Sequence, residues 1–178
     1  MNGLIVIGYQ GIGKSSLTNN NYNTLFIDFE SSLFSVDGDR NDDWYIIYCK
    51  QAVSLAKQGF IVLISSHKCV RDELSKYNQE GFNIITITPA YNLKDEWIEK
   101  LYKRYLDDPS EKNSAAYLNA KSCYEENIRD IASEPNFSHI FINSMNYNLR
   151  SILKSLYDIY SNRSRAYYSR QQKDDYDD

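Results

Sequence analysis

Short, nearly unbroken apolar runs alternate along this chain with stretches whose apolar residues recur every three or four positions. The runs are Leu4–Gly8, Thr24–Phe29, Phe60–Ser65, Phe82–Thr88 and His139–Asn143. They are rich in Ile, Val, Leu and Phe and lack strict alternation, as in strands covered on both faces. Between them the spacing predicts helices. The first starts in the Gly13-Lys14-Ser15 turn and stops at Asn19-Asn20-Asn21. The second places Trp44, Ile47, Tyr48, Ala52 and Leu55 on one face and ends at Gly59. A third runs from about Val70 to Tyr77, and a fourth carries Trp97, Ile98, Leu101 and Tyr105. A long fifth spans about Glu111 to Ala132 with Ser110 as its N-cap. The last shows Leu149, Ile152, Leu153, Leu156 and Tyr160 at helical spacing.

Strands separated by helices predict an α/β three-layer sandwich, a five-stranded parallel sheet with helices on both faces and right-handed crossovers. The connection before the last strand is the long exception. It holds two helices around Leu106-Asp107-Asp108-Pro109-Ser110, and the region of about 92–134 reads as a helical lid. The expected division is one domain over residues 1–160 and a polar tail over 161–178, without apolar period from Tyr168 on and read as disordered.

Composition narrows the setting. A chain of 178 residues suits one ordinary domain. The net charge of −4 argues against a general nucleic-acid coat, though not against a local basic pocket. No apolar run approaches the roughly 20 residues that cross a bilayer. Met1-Asn2-Gly3 leads directly into the first strand, with no signal-like segment. Cys49, Cys69 and Cys123 are odd in number and widely spaced, which reads as reduced thiols in the cytoplasm.

The first strand carries the chemistry. Gly8-Tyr9-Gln10-Gly11-Ile12-Gly13-Lys14-Ser15 matches G-x-x-x-x-G-K-[ST], between an apolar strand and a helix. Gly8, Gly11 and Gly13 let backbone N–H groups, Ile12 among them, close around an anion without a Cβ in the way. The following helix, opening Lys14-Ser15-Ser16, turns its free N–H groups and positive dipole end toward the phosphates. Lys14 would bridge the β- and γ-phosphates of ATP, and Ser15 would ligate Mg²⁺.

With this motif the chain resembles the P-loop small-molecule kinases, a group that includes nucleoside monophosphate, shikimate and gluconate kinases. The resemblance spans about residues 3–160 in element order, and only the phosphate loop is a specific motif. It implies a P-loop NTPase-type fold, ATP with Mg²⁺, and transfer of the γ-phosphoryl group to a small acceptor. A GTPase would want a base-reading Asn-Lys-x-Asp, and Asn92-Leu93-Lys94-Asp95 does not fit. A motor or AAA-type ATPase would want a carboxylate closing the third strand, which instead ends Ser65-Ser66-His67.

The carboxylates come one strand earlier, in Asp28-Phe29-Glu30. In the resembled kinases a residue there faces acceptor and metal, which gives Asp28 that role with Glu30 behind it. Otherwise both merely finish a strand and solvate a turn. Arg71, near the start of the third helix, stands where nucleoside monophosphate kinases grip the acceptor phosphate; its plain alternative is an exposed helix arginine. The lid region supplies Lys100, Lys103, Arg104 and Lys112, of which Arg104 is best placed to neutralise the transferring group. Ser65 or Ser66 would orient a metal-bound water, and His67 reads as a turn residue. Asn143-Ser144-Met145-Asn146 follows the last strand, where related loops contact adenine. The acidic segment Asp37-Gly38-Asp39-Arg40-Asn41-Asp42-Asp43 lies where an acceptor-binding segment is expected.

Three readings follow. The first is a kinase of small molecules, with nucleoside or deoxynucleoside monophosphates as acceptors. The second is a kinase acting on a nucleic-acid end or a modified base, and the third a P-loop nucleotide switch that works with a protein partner.

Overall fold

The computed structural model describes residues 3–18, 25–35, 41–77 and 83–160. Several expectations lie outside these residues: the Asn19–Asn21 stop, Thr24, Asp37–Arg40, Phe82 and the tail over 161–178. The strands are β1 (Leu4–Gly8), β2 (Phe26–Asp28), β3 (Ile61–Ile64), β4 (Asn83–Pro89) and β5 (Ser138–Ile142). The helices are α1 (Lys14–Thr18), α2 (Trp44–Lys57), α3 (Lys68–Ser75), α4 (Lys94–Asp107) and α5 (Glu111–Ala132), with α6 over residues 149–160.

The five strands form one parallel sheet in the order β2-β3-β1-β4-β5. The strand before the phosphate loop is therefore central, with Ile7 beside Ile64 of β3 and Thr86 of β4. The chain leaves β1 for one side and later crosses to the other, so a switch point opens at its carboxyl end, where α/β sheets bind ligands.

Alternation along β1 builds two cores. Leu4 and Val6 face Trp97, Leu101, Tyr124 and Ile128 of α4 and α5 and Leu149 and Leu153 of α6. Ile5 and Ile7 face Tyr48, Ala52 and Val53 of α2 and Val70 and Leu74 of α3. Helices cover both faces, and that is why the strands show no polar side.

One expectation needs correcting. On α2 the buried stripe is Tyr48, Cys49, Ala52, Val53 and Ala56, and Ile47 is 55% exposed. Apolar type alone placed Ile47 inward, whereas packing on the sheet chose the small residues beside Tyr48. The region of about 92–134, read as a helical lid, holds α4, α5 and the turn between them. Trp97, Leu101, Ala120, Tyr124, Ile128 and Ile131 bury both helices against the sheet, leaving their connecting turn at the site. Ser110 caps α5 as expected, its hydroxyl accepting from Asn113 N. The backbone of α5 breaks at Cys123, with φ −134° and ψ 28°.

Candidate nucleotide-binding site

The phosphate loop runs from Gly8 at the end of β1 to Lys14 at the start of α1. Gly11 and Gly13 hold φ of 81° and 90°, open to glycine and costly to residues with a Cβ. Both serve the turn, but only Gly11 is crowded. A Cβ there would stand 2.8 Å from Leu101 Cδ2, whereas at Gly13 it would meet nothing within 4 Å.

Lys14 Nζ donates to Gly8 O at 2.9 Å and to Ile64 O at 3.2 Å. Burial pushes its pKa down to about 8, against the opposing pull of Asp28 and Glu30 and with help from Lys112 and Arg104. Those four charges therefore lie close enough to act on it, and they come from β2, the segment after it, and both sides of the α4–α5 turn. Folding brings Lys14, Asp28, Glu30 and Arg104 together.

Asp28 ends β2 with its side chain half-buried. Burial raises its pKa, while a hydrogen bond from the Ser15 hydroxyl and the Lys14 charge hold it down. Beyond it, Glu30 takes both its oxygens to Lys112 Nζ at 2.7 Å. Arg104 Nε donates to Asn113 Oδ1 at 2.5 Å, and Asn113 in turn donates to Asp108. This places the α4–α5 turn at the carboxyl end of the sheet. Asn113 was not singled out as a site residue; its polarity at the start of a helix resembles any solvated turn.

Arg71 is drawn elsewhere. It is only 2% exposed, and its guanidinium is occupied by Ser66 O, by Asp130 of α5 and by Glu134 at 2.8 Å. It ties the β3–α3 turn to the end of α5, where the expectation had it gripping the acceptor phosphate. From the sequence, a helix arginine and a helix-to-helix tie look alike, because Asp130 and Glu134 lie some sixty positions on.

That turn carries another buried arrangement. The Tyr48 hydroxyl donates to Phe29 O at 2.5 Å and accepts from Ser65 N at 3.1 Å, joining the ends of β2 and β3. Ser65 Oγ lies beside that hydroxyl, buried and without a hydrogen bond among the described residues. Phe29 stacks on Tyr48 with centroids 4.9 Å apart, and Phe34 and Trp44 meet the same ring at 5.3 and 5.5 Å. Exposed His67 stands edge-on to Trp44. On the other side of the loop, a groove of about 380 Å³ runs along α4, lined by Lys100, Lys103, Arg104 and Met145 among others. Met145 is the residue of the Asn143–Asn146 loop that reaches it.

A family model described as the AAA domain matches residues 2–146. The chain belongs to the AAA domain family. It is a P-loop nucleotide-binding domain of the AAA type, and its parallel sheet agrees with that assignment. The missing carboxylate after β3, read from the sequence against an AAA-type ATPase, did not exclude the family. No curated protein matches this AAA domain. Among its described residues no helix is long and apolar enough to cross a membrane. Its cysteines are free thiols, and no group of three or more His, Cys, Asp or Glu among the described residues could hold a metal ion.

Proposed function

We propose that this AAA domain transfers the γ-phosphoryl group of ATP to a small acceptor, a nucleoside or deoxynucleoside monophosphate being the class that fits best. The observation that carries the reading is Asp28, a half-buried carboxylate at the end of β2, hydrogen-bonded to Ser15 and within the field of Lys14. A carboxylate in that position can take a hydroxyl proton from an acceptor above the ends of β2 and β3. The half-exposed rings of Phe29, Phe34 and Trp44 supply an aromatic wall there, suited to a flat base. Arg104 and Lys112, already near Lys14, would offset charge on the transferring group.

The Ser15 oxygen fits Mg²⁺, which takes one or two protein oxygens beside the phosphates and keeps its waters, and Asp28 would hold one of those waters. Bound there, the ion would neutralise the charge that builds on the phosphates. That pattern needs no cage of three acidic residues.

A second reading rests on the family match and on Ser65-Ser66-His67 following β3 where a carboxylate would be wanted: a nucleotide switch that turns over slowly and acts through a partner. Release of ADP from ATP with Mg²⁺ separates the two. It is measured against a panel of nucleoside monophosphates, deoxynucleoside monophosphates, nucleosides and a DNA oligonucleotide. Stimulation by a monophosphate supports the kinase and names its acceptor, and stimulation by DNA alone moves the target to a nucleic acid. Tight ATP binding with no stimulation favours the switch.

A further inference from the structure

A phosphate loop binds anions through inward-pointing N–H groups, which leaves carbonyls of the same loop pointing outward. Two such carbonyls are held here by residues outside the motif. The indole N–H of Trp97, on α4, donates to Gln10 O at 3.0 Å. The hydroxyl of Tyr147, between β5 and α6, donates to Ile12 O at 2.9 Å. Lys100 Nζ donates to the Tyr147 hydroxyl at 3.0 Å and lies 4.3 Å from the centroid of the Trp97 ring. The two rings run nearly parallel, 6.0 Å apart. An ammonium bonded to the phenol oxygen polarises the O–H and strengthens its bond to Ile12.

We propose that Trp97, Tyr147 and Lys100 are positioning residues that preset the phosphate loop for its anion. They act through the carbonyls of Gln10 and Ile12 and touch no phosphate themselves. Holding these peptides before the anion arrives removes part of the ordering cost of binding. The close approach at Gly11, where a Cβ would also stand 3.3 Å from Trp97 Nε1, shows how tightly α4 is seated on the loop. The inference rests on the loop holding phosphate and is independent of where the phosphoryl group goes.

The test is calorimetric binding of ADP and of pyrophosphate to the full chain, well below each variant's melting temperature. Tyr147→Phe keeps the ring and removes the donor. Lys100→Met works from the half-buried end of the clamp, and Lys100→Arg restores a cation. The worth of one neutral hydrogen bond sets the upper limit, up to about fivefold weaker binding of both ligands to Tyr147→Phe. Lys100→Met is expected to weaken both by less, and Lys100→Arg to recover most of that. Affinities of both variants within twofold of the parent chain would overturn the proposal. So would a loss confined to ADP, because it would assign these residues to the nucleoside and leave the phosphate cradle untouched. Should Tyr147→Phe fail to fold, the Lys100 pair decides by the same criterion.

Discussion

The ammonium of Lys14 stands 2.9 Å from the carbonyl oxygen of Gly8, at the opposite end of its own loop. A second bond to Ile64 O anchors it to the neighbouring strand. The charge that would meet a phosphate is thus held by two neutral carbonyls in a desolvated place, and its pKa falls to about 8.

A pH dependence follows. Phosphate binds the ammonium form, which in the free protein is nearly full well below pH 8, falls to half near pH 8 and drains away above it. Binding raises the pKa again, so ligand uptake above pH 8 must also take up a proton. Once the terminal phosphate of ADP is fully ionised, affinity for metal-free ADP should fall as pH rises through 8, approaching about tenfold per unit above the free pKa. Calorimetry at pH 9 in two buffers of different ionisation enthalpy should register that proton. Constant affinity from pH 7 to 9.5 would show that Lys14 does not govern binding.

Asp28→Asn separates chemistry from binding. The amide preserves shape and a partner for Ser15 but cannot accept a proton. Transfer to the acceptor should slow by about 10²- to 10⁴-fold, with ATP affinity changed far less. A kcat equal to that of the parent chain would remove Asp28 from the mechanism.

Arg71→Met tests a structural tie against substrate binding. Loss of the guanidinium leaves Glu134, only 10% exposed, with Lys68 at 3.4 Å as its remaining partner. Urea unfolding should show a loss of about 3 kcal/mol, the low end for a broken buried pair. The acceptor KM of the folded variant should not change. A raised KM with unchanged stability would return Arg71 to the site.

Gly11→Ala and Gly13→Ala share the strain of a positive φ, but only the first meets another side chain. Gly11→Ala should cost about 2 kcal/mol or more, combining strain with overpacking against Leu101. Gly13→Ala should melt nearer the parent chain, and the difference between the two melts measures how firmly α4 rests on the loop. Equal losses would mean that Leu101 yields freely.

The parts of this protein legible in its sequence are those set by local pattern. Apolar runs buried on both faces announced the parallel sheet, and Gly8 to Ser15 announced the phosphate site, because strand, turn and helix start are contiguous in the chain. Asp28 could be singled out too, because it ends the strand that follows the motif in the chain, where the resembled kinases carry a carboxylate. What tertiary structure decided depends on pairs far apart in sequence. Positions 59 and 63 residues further on supply the carboxylates of Arg71, and more than eighty separate Glu30 from Lys112 and Gln10 from Trp97. A charge or an indole N–H carries no mark of its partner until burial removes water as the alternative. Local pattern therefore determined that this chain holds phosphate, and packing decided which distant side chains keep the loop ready for it.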